Sequence, residues 1–255
     1  MVSTGEENKV SKNDFIEIDF TGKVFGTDEI FDTTVLDIAK KAKFNIDNLK
    51  PTILSVGKQM ILPGLDNDLE GKEIGKSYSI DIKPEHAFGK RNPQMVRMIP
   101  IKQFIEQKIY PQKGMQLSLD GQVAKVLSNS GGRVLVDFNN PLSGKQVTYD
   151  YKILRKISDS KEQINAVQDF LFRKQFDFSI LDNEKDKQKK VVNFKVPKSQ
   201  EPFAKLLGMF AKPFEDILGM SLSTEILEDL TQRKGELGHT APESLQGENL
   251  GLPKE

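Results

Sequence analysis

Gly57-Lys58-Gln59-Met60-Ile61-Leu62-Pro63-Gly64-Leu65 is followed, after a polar turn and a short strand, by Pro84-Glu85-His86-Ala87-Phe88-Gly89. In the first stretch the aliphatic pair Ile61-Leu62 stands directly before Pro-Gly, a dipeptide that opens a turn or a first helical turn. Leu65 and Leu69 lie four apart, so they share one face of a short helix that Gly71 stops. In the second stretch an aromatic-Gly turn closes the strand before it, where Tyr78, Ile80 and Ile82 alternate with Ser79 and Asp81. Upstream, Asp19-Phe20-Thr21-Gly22 and Ile30-Phe31-Asp32 supply further rings and one carboxylate. Together these segments imply an apolar pocket carrying a single acidic group.

The same alternation recurs on either side. Ile16, Ile18 and Phe20 oppose Glu17 and Asp19, and Val147, Tyr149, Tyr151 and Ile153 oppose Thr148, Asp150 and Lys152, which is the period of a half-buried strand. The simplest assembly is an α+β fold, a twisted antiparallel sheet wrapped against one short helix. Residues 92–138 break the pattern. Pro93, Pro100 and Pro111 punctuate them, 101–108 allow a short helix, and strands at 115–119, 122–127 and 133–138 are joined by Asp120-Gly121 and Gly131-Gly132 hairpins. This reads as a small β-rich domain inserted into a larger one made of 14–91 and 139–157, after a polar N-terminal segment, 1–13.

Beyond Ile157 the texture changes. Ser160-Lys161-Glu162-Gln163 predicts a capping box, with Ile164, Val167 and Leu171 at helical spacing behind it. Residues 190–197 alternate as a strand, 202–219 read as a helix kinked at Pro213, and 223–231 as another helix. These compose a C-terminal α+β domain over 158–231. From 232 to 255 Gly, Pro, Glu and Asn dominate without period, as in a disordered tail.

Composition narrows the chemistry. The chain has 255 residues, 37 basic against 37 acidic, so no basic excess points to nucleic acid or an acidic membrane surface. Cys is absent, which removes disulfides and thiol nucleophiles. The polar N-terminus lacks a signal-like apolar core and no run approaches the ~18 apolar residues of a membrane span, so a cytoplasmic location is expected. Of two histidines, His86 and His239, the second lies in the tail, leaving no paired-His metal site or Ser-His-Asp arrangement. The glycines at 57–64 lack the Gly-Lys-Ser/Thr ending of a phosphate loop. No cofactor and no metal are expected, and the reaction, if there is one, needs little acid–base machinery.

The spacing of Asp19-Phe20-Thr21-Gly22, Ile30-Phe31-Asp32, 57–64 and 84–89 resembles the FKBP family of peptidyl-prolyl isomerases. The insert resembles the insert-in-flap domain of SlyD-type members, with 140–144 similar to their re-entry sequence. The C-terminal region is loosely similar to the extra domain of long archaeal FKBPs. The resemblance implies that Phe20, Phe31, Ile61, Leu62, Leu65, Phe88 and Tyr149 line the pocket and that Asp32 is its orienting carboxylate. It further implies that the Leu62 N–H meets the substrate carbonyl. His86 takes a position where many members have a tyrosine, and Leu65 replaces a tryptophan floor, which implies weaker macrolide binding.

Rotation about an X–Pro bond suits such a pocket. Its barrier is ~20 kcal/mol, and uncatalysed exchange takes ~10–100 s. The twisted amide is less polar than the planar one, so a dry aromatic pocket favours it without moving a proton. The expected partners are unfolded or nascent proline-containing polypeptides and, through the C-terminal domain, a second copy of the chain. Client binding is expected at Met95, Met98, Ile99, Phe104, Met115, Leu117, Val123, Val134 and Val136, because Met suits adaptable surfaces; the alternative is that these form the insert's own core. Two readings without turnover stay open, a holdase chaperone and a proline-ligand binding module on the same fold.

Overall fold

The computed structural model describes residues 8–183 and 189–228. Two compact units divide the chain, one running through Gln175 and the other starting at Phe176, with 216–218 counted in the first.

The first unit opens with β1 (Phe15–Val24), β2 (Ile30–Thr33), α1 (Leu36–Lys41), β3 (Thr52–Ser55), α2 (Pro63–Leu69) and β4 (Ser77–Ile82). The insert follows as β5 (Val96–Pro100), α3 (Ile101–Glu106), β6 (Gln116–Leu119), β7 (Gln122–Ser130) and β8 (Arg133–Asp137). The chain then re-enters through β9 (Val147–Lys156) and ends the unit with α4 (Ser160–Phe172). The main sheet runs β2-β1-β9-β4, with β3 also paired to β1. Ile16, Ile18, Val147, Tyr149, Tyr151 and Ile153 meet Leu65 and Leu69 of α2 in one core, as their alternation predicts. Pro63 opens α2 where no N–H is needed, and Gly71 follows it at φ +79. With Leu65 and Leu69 fully buried, truncating either to alanine costs ~2–5 kcal/mol.

The insert is a four-stranded antiparallel sheet, β5-β8-β7-β6, rather than a three-stranded meander. β5 hid from sequence reading because Pro93 and Pro100 flank it and its residues do not alternate cleanly. Phe104 of α3 packs with Ala124, Val126, Val134 and Val136 beneath that sheet.

Four further expectations change. α4, assigned to the C-terminal domain by the boundary at 158, packs on β3 and belongs to the first unit. Its cap is Asp159, whose carboxylate accepts from the Glu162 N–H at 2.9 Å, one residue before the Ser160 predicted. The second unit contains β10 (Asp177–Asp182), β11 (Lys190–Pro197), α5 (Glu201–Met209), the first five residues of α6 (Ala211–Leu218) and β12 (Ser221–Leu227). The helix expected from 223 is instead β12, an edge strand parallel to β11 that α5 and α6 connect across the sheet. The break between helices falls at Phe210, since Pro213 sits in the first turn of α6, where a missing N–H costs nothing. Phe194, Phe214 and Leu207 are fully buried in this unit. Residues 184–188 and those from 229 on, with the end of the helix expected to 231 and the tail expected from 232, lie outside the described residues.

Candidate active site

β2 lies against β1 with Thr21 opposite Thr33, Gly22 opposite Asp32 and Lys23 opposite Ile30. Phe31 is thus one residue too many, and the bulge re-aims it so that Phe31 and the adjacent Asp32 both address the same space. Gly22 is also the register partner of Tyr149 on β9. Asp32, Gly22 and Tyr149 therefore form one row across three strands, with no side chain in the middle. A Cβ at Gly22 would lie 2.7 Å from the Phe31 ring and 3.1 Å from the Tyr149 ring, so the glycine is what lets both rings close over the strand. This residue stood in the quoted motif, yet nothing in the sequence assigned it a role.

Phe31 packs edge to face on its two neighbours, and Phe20 lies tilted against Tyr149. Phe31 meets Phe88 at 5.5 Å and Tyr149 at 5.8 Å between centroids, and Phe20 meets Tyr149 at 5.6 Å. Leu65, fully buried, lies in the same cluster, with Ile61 and Leu62 partly buried against it. All seven residues expected to line the pocket are brought into one apolar cluster.

The loop that delivers Ile61 and Leu62 is held by Asp66, a residue the motif reading passed over. Its carboxylate, 2 % exposed, accepts from the N–H groups of Gly57 and Gln59, both at 2.8 Å. Gln59 and Gly57 both have positive φ, so the turn needs such a clamp. Gly64 lies so close to the Ile82 side chain and the His86 backbone that a Cβ there would collide, which seats the start of α2 against the end of β4. The carbonyl of Leu62 accepts from Leu65 and Asp66, while among the described residues nothing takes up its N–H.

Asp32 is exposed on its outer side, but its carboxyl is crowded by the cluster. Burial raises its pKa above the usual carboxylate range, and a hydrogen bond from the Thr33 backbone partly opposes this. Burial and then the Asp32 charge push the Tyr149 phenol above its ordinary value, so it remains a neutral donor at physiological pH. Behind the strand, the Thr21 and Thr33 hydroxyls pair at 2.8 Å, and Thr34 bonds Asp19 at 2.8 Å while accepting from the Phe20 N–H at 2.9 Å. These bonds pin β2 to β1 and fix the bulge. His86 ends an exposed 3₁₀ turn, Pro84–His86; its carbonyl reaches Gly64.

The insert leaves and re-enters next to Phe88. Ser143 donates to the Phe88 carbonyl at 3.1 Å and the Gly144 N–H to the Gly89 carbonyl at 2.8 Å. The Asn139 amide clasps the main chain of Asn92 in both directions, at 2.8 and 3.0 Å, and Arg91 pairs with Asp137 at 2.6 Å. A cleft of about 810 Å³ opens between the insert sheet at Val123 and Leu127 and the re-entry segment at Phe138 and Pro141. Of the residues expected to bind clients, Met95, Met98, Met115 and Val123 are exposed. Phe104, Val134 and Val136 are the insert's interior and cannot offer a surface, while Ile99 and Leu117 are partly buried against them. Ile105 is exposed as well, and Tyr110, which sequence reading did not single out, is a further exposed apolar side chain.

An antiparallel sheet over one short helix, with an aromatic cluster beside a lone carboxylate, defines the class. Residues 6–109 match the family described as FKBP-type peptidyl-prolyl cis-trans isomerase, and residues 97–142 match the FKBP26 IF domain. A "Probable FKBP-type 16 kDa peptidyl-prolyl cis-trans isomerase" of Pseudomonas fluorescens is 34% identical over 109 residues, 41% of this chain and 71% of that protein. A "Short-type peptidyl-prolyl cis-trans isomerase" of Methanocaldococcus jannaschii is 28% identical over 148 residues, 57% of this chain and 93% of that protein. A protein of Helicobacter pylori, "FKBP-type peptidyl-prolyl cis-trans isomerase SlyD", is 31% identical over 122 residues, 46% of this chain and 65% of its own length. The chain belongs to the FKBP-type peptidyl-prolyl cis-trans isomerases and carries an insert of the IF type. Among the described residues no helix is long and apolar enough to cross a membrane, and no group of acidic, His or Cys side chains could hold a metal ion.

Proposed function

We propose that the cluster around Phe31 and Tyr149 holds a prolyl ring and stabilises the amide before it in the twisted state. The observation that carries this is the row Asp32–Gly22–Tyr149, overhung by the Phe31 ring. It makes an apolar hollow with one acceptor at its edge and one phenol beside it. Phe20, Leu65 and Phe88 supply the dry walls that favour the less polar twisted amide over the planar one. In this reading the Leu62 N–H, free among the described residues, takes the carbonyl before proline. Each ~1.4 kcal/mol of such differential binding gives tenfold in rate, so a few kcal/mol suffice.

In this reading the insert captures unfolded or nascent proline-containing chains through Met95, Met98, Met115 and Val123, and passes them to the prolyl cluster near Phe88. Exposed apolar side chains on a small sheet, several of them Met, support it. The protein works in the cytoplasm. The exposed Leu206, Met209, Ile226 and Leu227 of the second unit offer a surface for a homodimer. Light scattering of the full chain returning only monomer mass would remove the dimer.

A protease-coupled assay on a proline tetrapeptide tests the site. Asp32→Ala and Phe88→Ala each lose most of the turnover, and wild-type protein without acceleration would overturn the reading. Met98→Ser with Val123→Ser weakens refolding of a proline-limited protein while tetrapeptide turnover stays. Equal refolding by that double variant would remove the insert's role.

A further inference from the structure

A second cavity, of about 520 Å³, opens between α4 and β3, lined by Ile53 and Met60 and, from β1, by Glu17. Among the described residues β3 pairs only with β1. Val56 donates to the Asp14 carbonyl at 2.9 Å, and in an antiparallel ladder the residues facing the partner alternate, so Leu54 and Thr52 also turn their backbone groups to β1. Ser55 and Ile53 then point outward. Ser55 shows it directly, its N–H lying 3.2 Å from the Met60 sulfur. At Ile53, among the described residues, neither the N–H nor the carbonyl is taken up, and Ile53 lines the cavity.

We propose that this cavity is a second peptide site, where an extended polypeptide segment adds to the β3 edge through the Ile53 main chain. An unsatisfied strand edge is a template for another extended chain, and the volume lies in the range of binding sites that are largely formed in advance. Pro51, Met60, Ala166 and Phe170 give it apolar walls for alternate side chains. Charge selects further. Lys50 is paired with Asp169 at 3.0 Å, and Glu17 and Glu162 are both paired with Arg155, but Arg173 on the cavity wall has no ion pair among the described residues. A segment with an acidic residue next to its apolar ones therefore fits best. Main-chain recognition makes the site indifferent to proline, which separates it from the prolyl cluster. Met60, which lines the cavity, also packs against the core of the first unit.

The probe is a fluorescein-labelled, proline-free peptide of about ten residues, alternating valine with serine and one glutamate, added to the full-length protein. Anisotropy shows binding to wild type, and Ile53→Pro, which removes the outward N–H together with the isoleucine side chain, weakens it about tenfold or more. Ala166→Phe, which fills the cavity, does the same, whereas Ile53→Val binds as wild type. Tetrapeptide turnover stays within about twofold in all three, which reports that the fold is intact. Should Ile53→Pro fail to fold, Ala166→Phe and hydrogen exchange decide, since the Ile53 amide gains protection when peptide is present. No binding to wild type, equal binding by the cavity variants, or an Ile53 amide unchanged by peptide each overturns the proposal.

Discussion

Asp32 and Tyr149 stand in one row across the main sheet, each the register partner of Gly22 and separated by that residue alone. Strands in a sheet lie ~4.8 Å apart, so the two side chains rise from the same face with a gap of two strand spacings between their backbones. The gap stays open because its middle position has no Cβ. It is filled from above by Phe31, which the bulge in β2 has turned inward.

Gly22→Ala is therefore expected to keep the sheet and spoil the site. The added methyl falls 2.7 Å from the Phe31 ring, too close for any real contact, and the ring is the part able to move. Overpacking of this kind costs ~1–3 kcal/mol, equivalent to about ten- to a hundredfold in kcat/KM if it acts on the bound transition state. Circular dichroism and the prolyl assay on the same sample check it; wild-type turnover in this variant would contradict the geometry.

The ionisation of Asp32 couples stability to pH. Its folded pKa is raised by burial, so the folded protein holds this proton more tightly than the unfolded chain does. The group's favourable contribution is thus present below the unfolded value and is lost as pH rises through the folded one. Asp32→Asn should melt higher than wild type at neutral pH, with the difference shrinking as the medium is acidified. Turnover should run the opposite way, since the proposed function draws on the charged form. Wild type loses activity on acidification at a pH above the ordinary carboxylate range, and Asp32→Asn is slow throughout. A Tm difference independent of pH would remove this account.

Asp66 is expected to act through the backbone it holds. Asp66→Ala leaves the Gly57 and Gln59 N–H groups without their acceptor, and since both residues are exposed and water replaces part of each bond, the cost is ~1 kcal/mol per bond. Because the turn carries Ile61 and Leu62, KM for a proline tetrapeptide should rise in molecules that remain folded at low temperature. Denaturant melts and steady-state kinetics separate the two effects. An unchanged KM would confine Asp66 to stability.

Asn139 should couple the insert to the rest. Its amide holds both the N–H and the carbonyl of Asn92. Asn139→Ala frees the two chain crossings without touching the aromatic cluster. Tetrapeptide turnover is expected to change by less than about twofold, while refolding of a proline-limited protein slows by about tenfold. Loss of both activities together would show that the clasp supports the cluster itself.

Much of this was legible beforehand. The alternation of Ile16, Ile18 and Phe20, and of Tyr149, Tyr151 and Ile153, is local, and so is the four-residue spacing of Leu65 and Leu69; periods of this kind survive folding because burial on one face enforces them. The motif around Ile61-Leu62-Pro63 brought the site residues into view together. Where reading failed, the local signal was weak or pointed two ways. Ser223 to Leu227 has enough Leu and Glu for a helix, yet its parallel pairing with β11 makes it a strand. β5 lacked alternation because only part of it faces the small core of the insert.

Chain order alone settles which side chains are apolar, where helices can start, and that one acid follows one phenylalanine at positions 31 and 32. Three facts came from packing across distant segments: the surplus residue that makes Phe31 a bulge, the contact of Gly22 with two rings, and the side of β3 left unpaired. Each depends on register between strands far apart in sequence. Register is set by the sum of many burials and bonds across the sheet, and no short stretch of residues contains that sum.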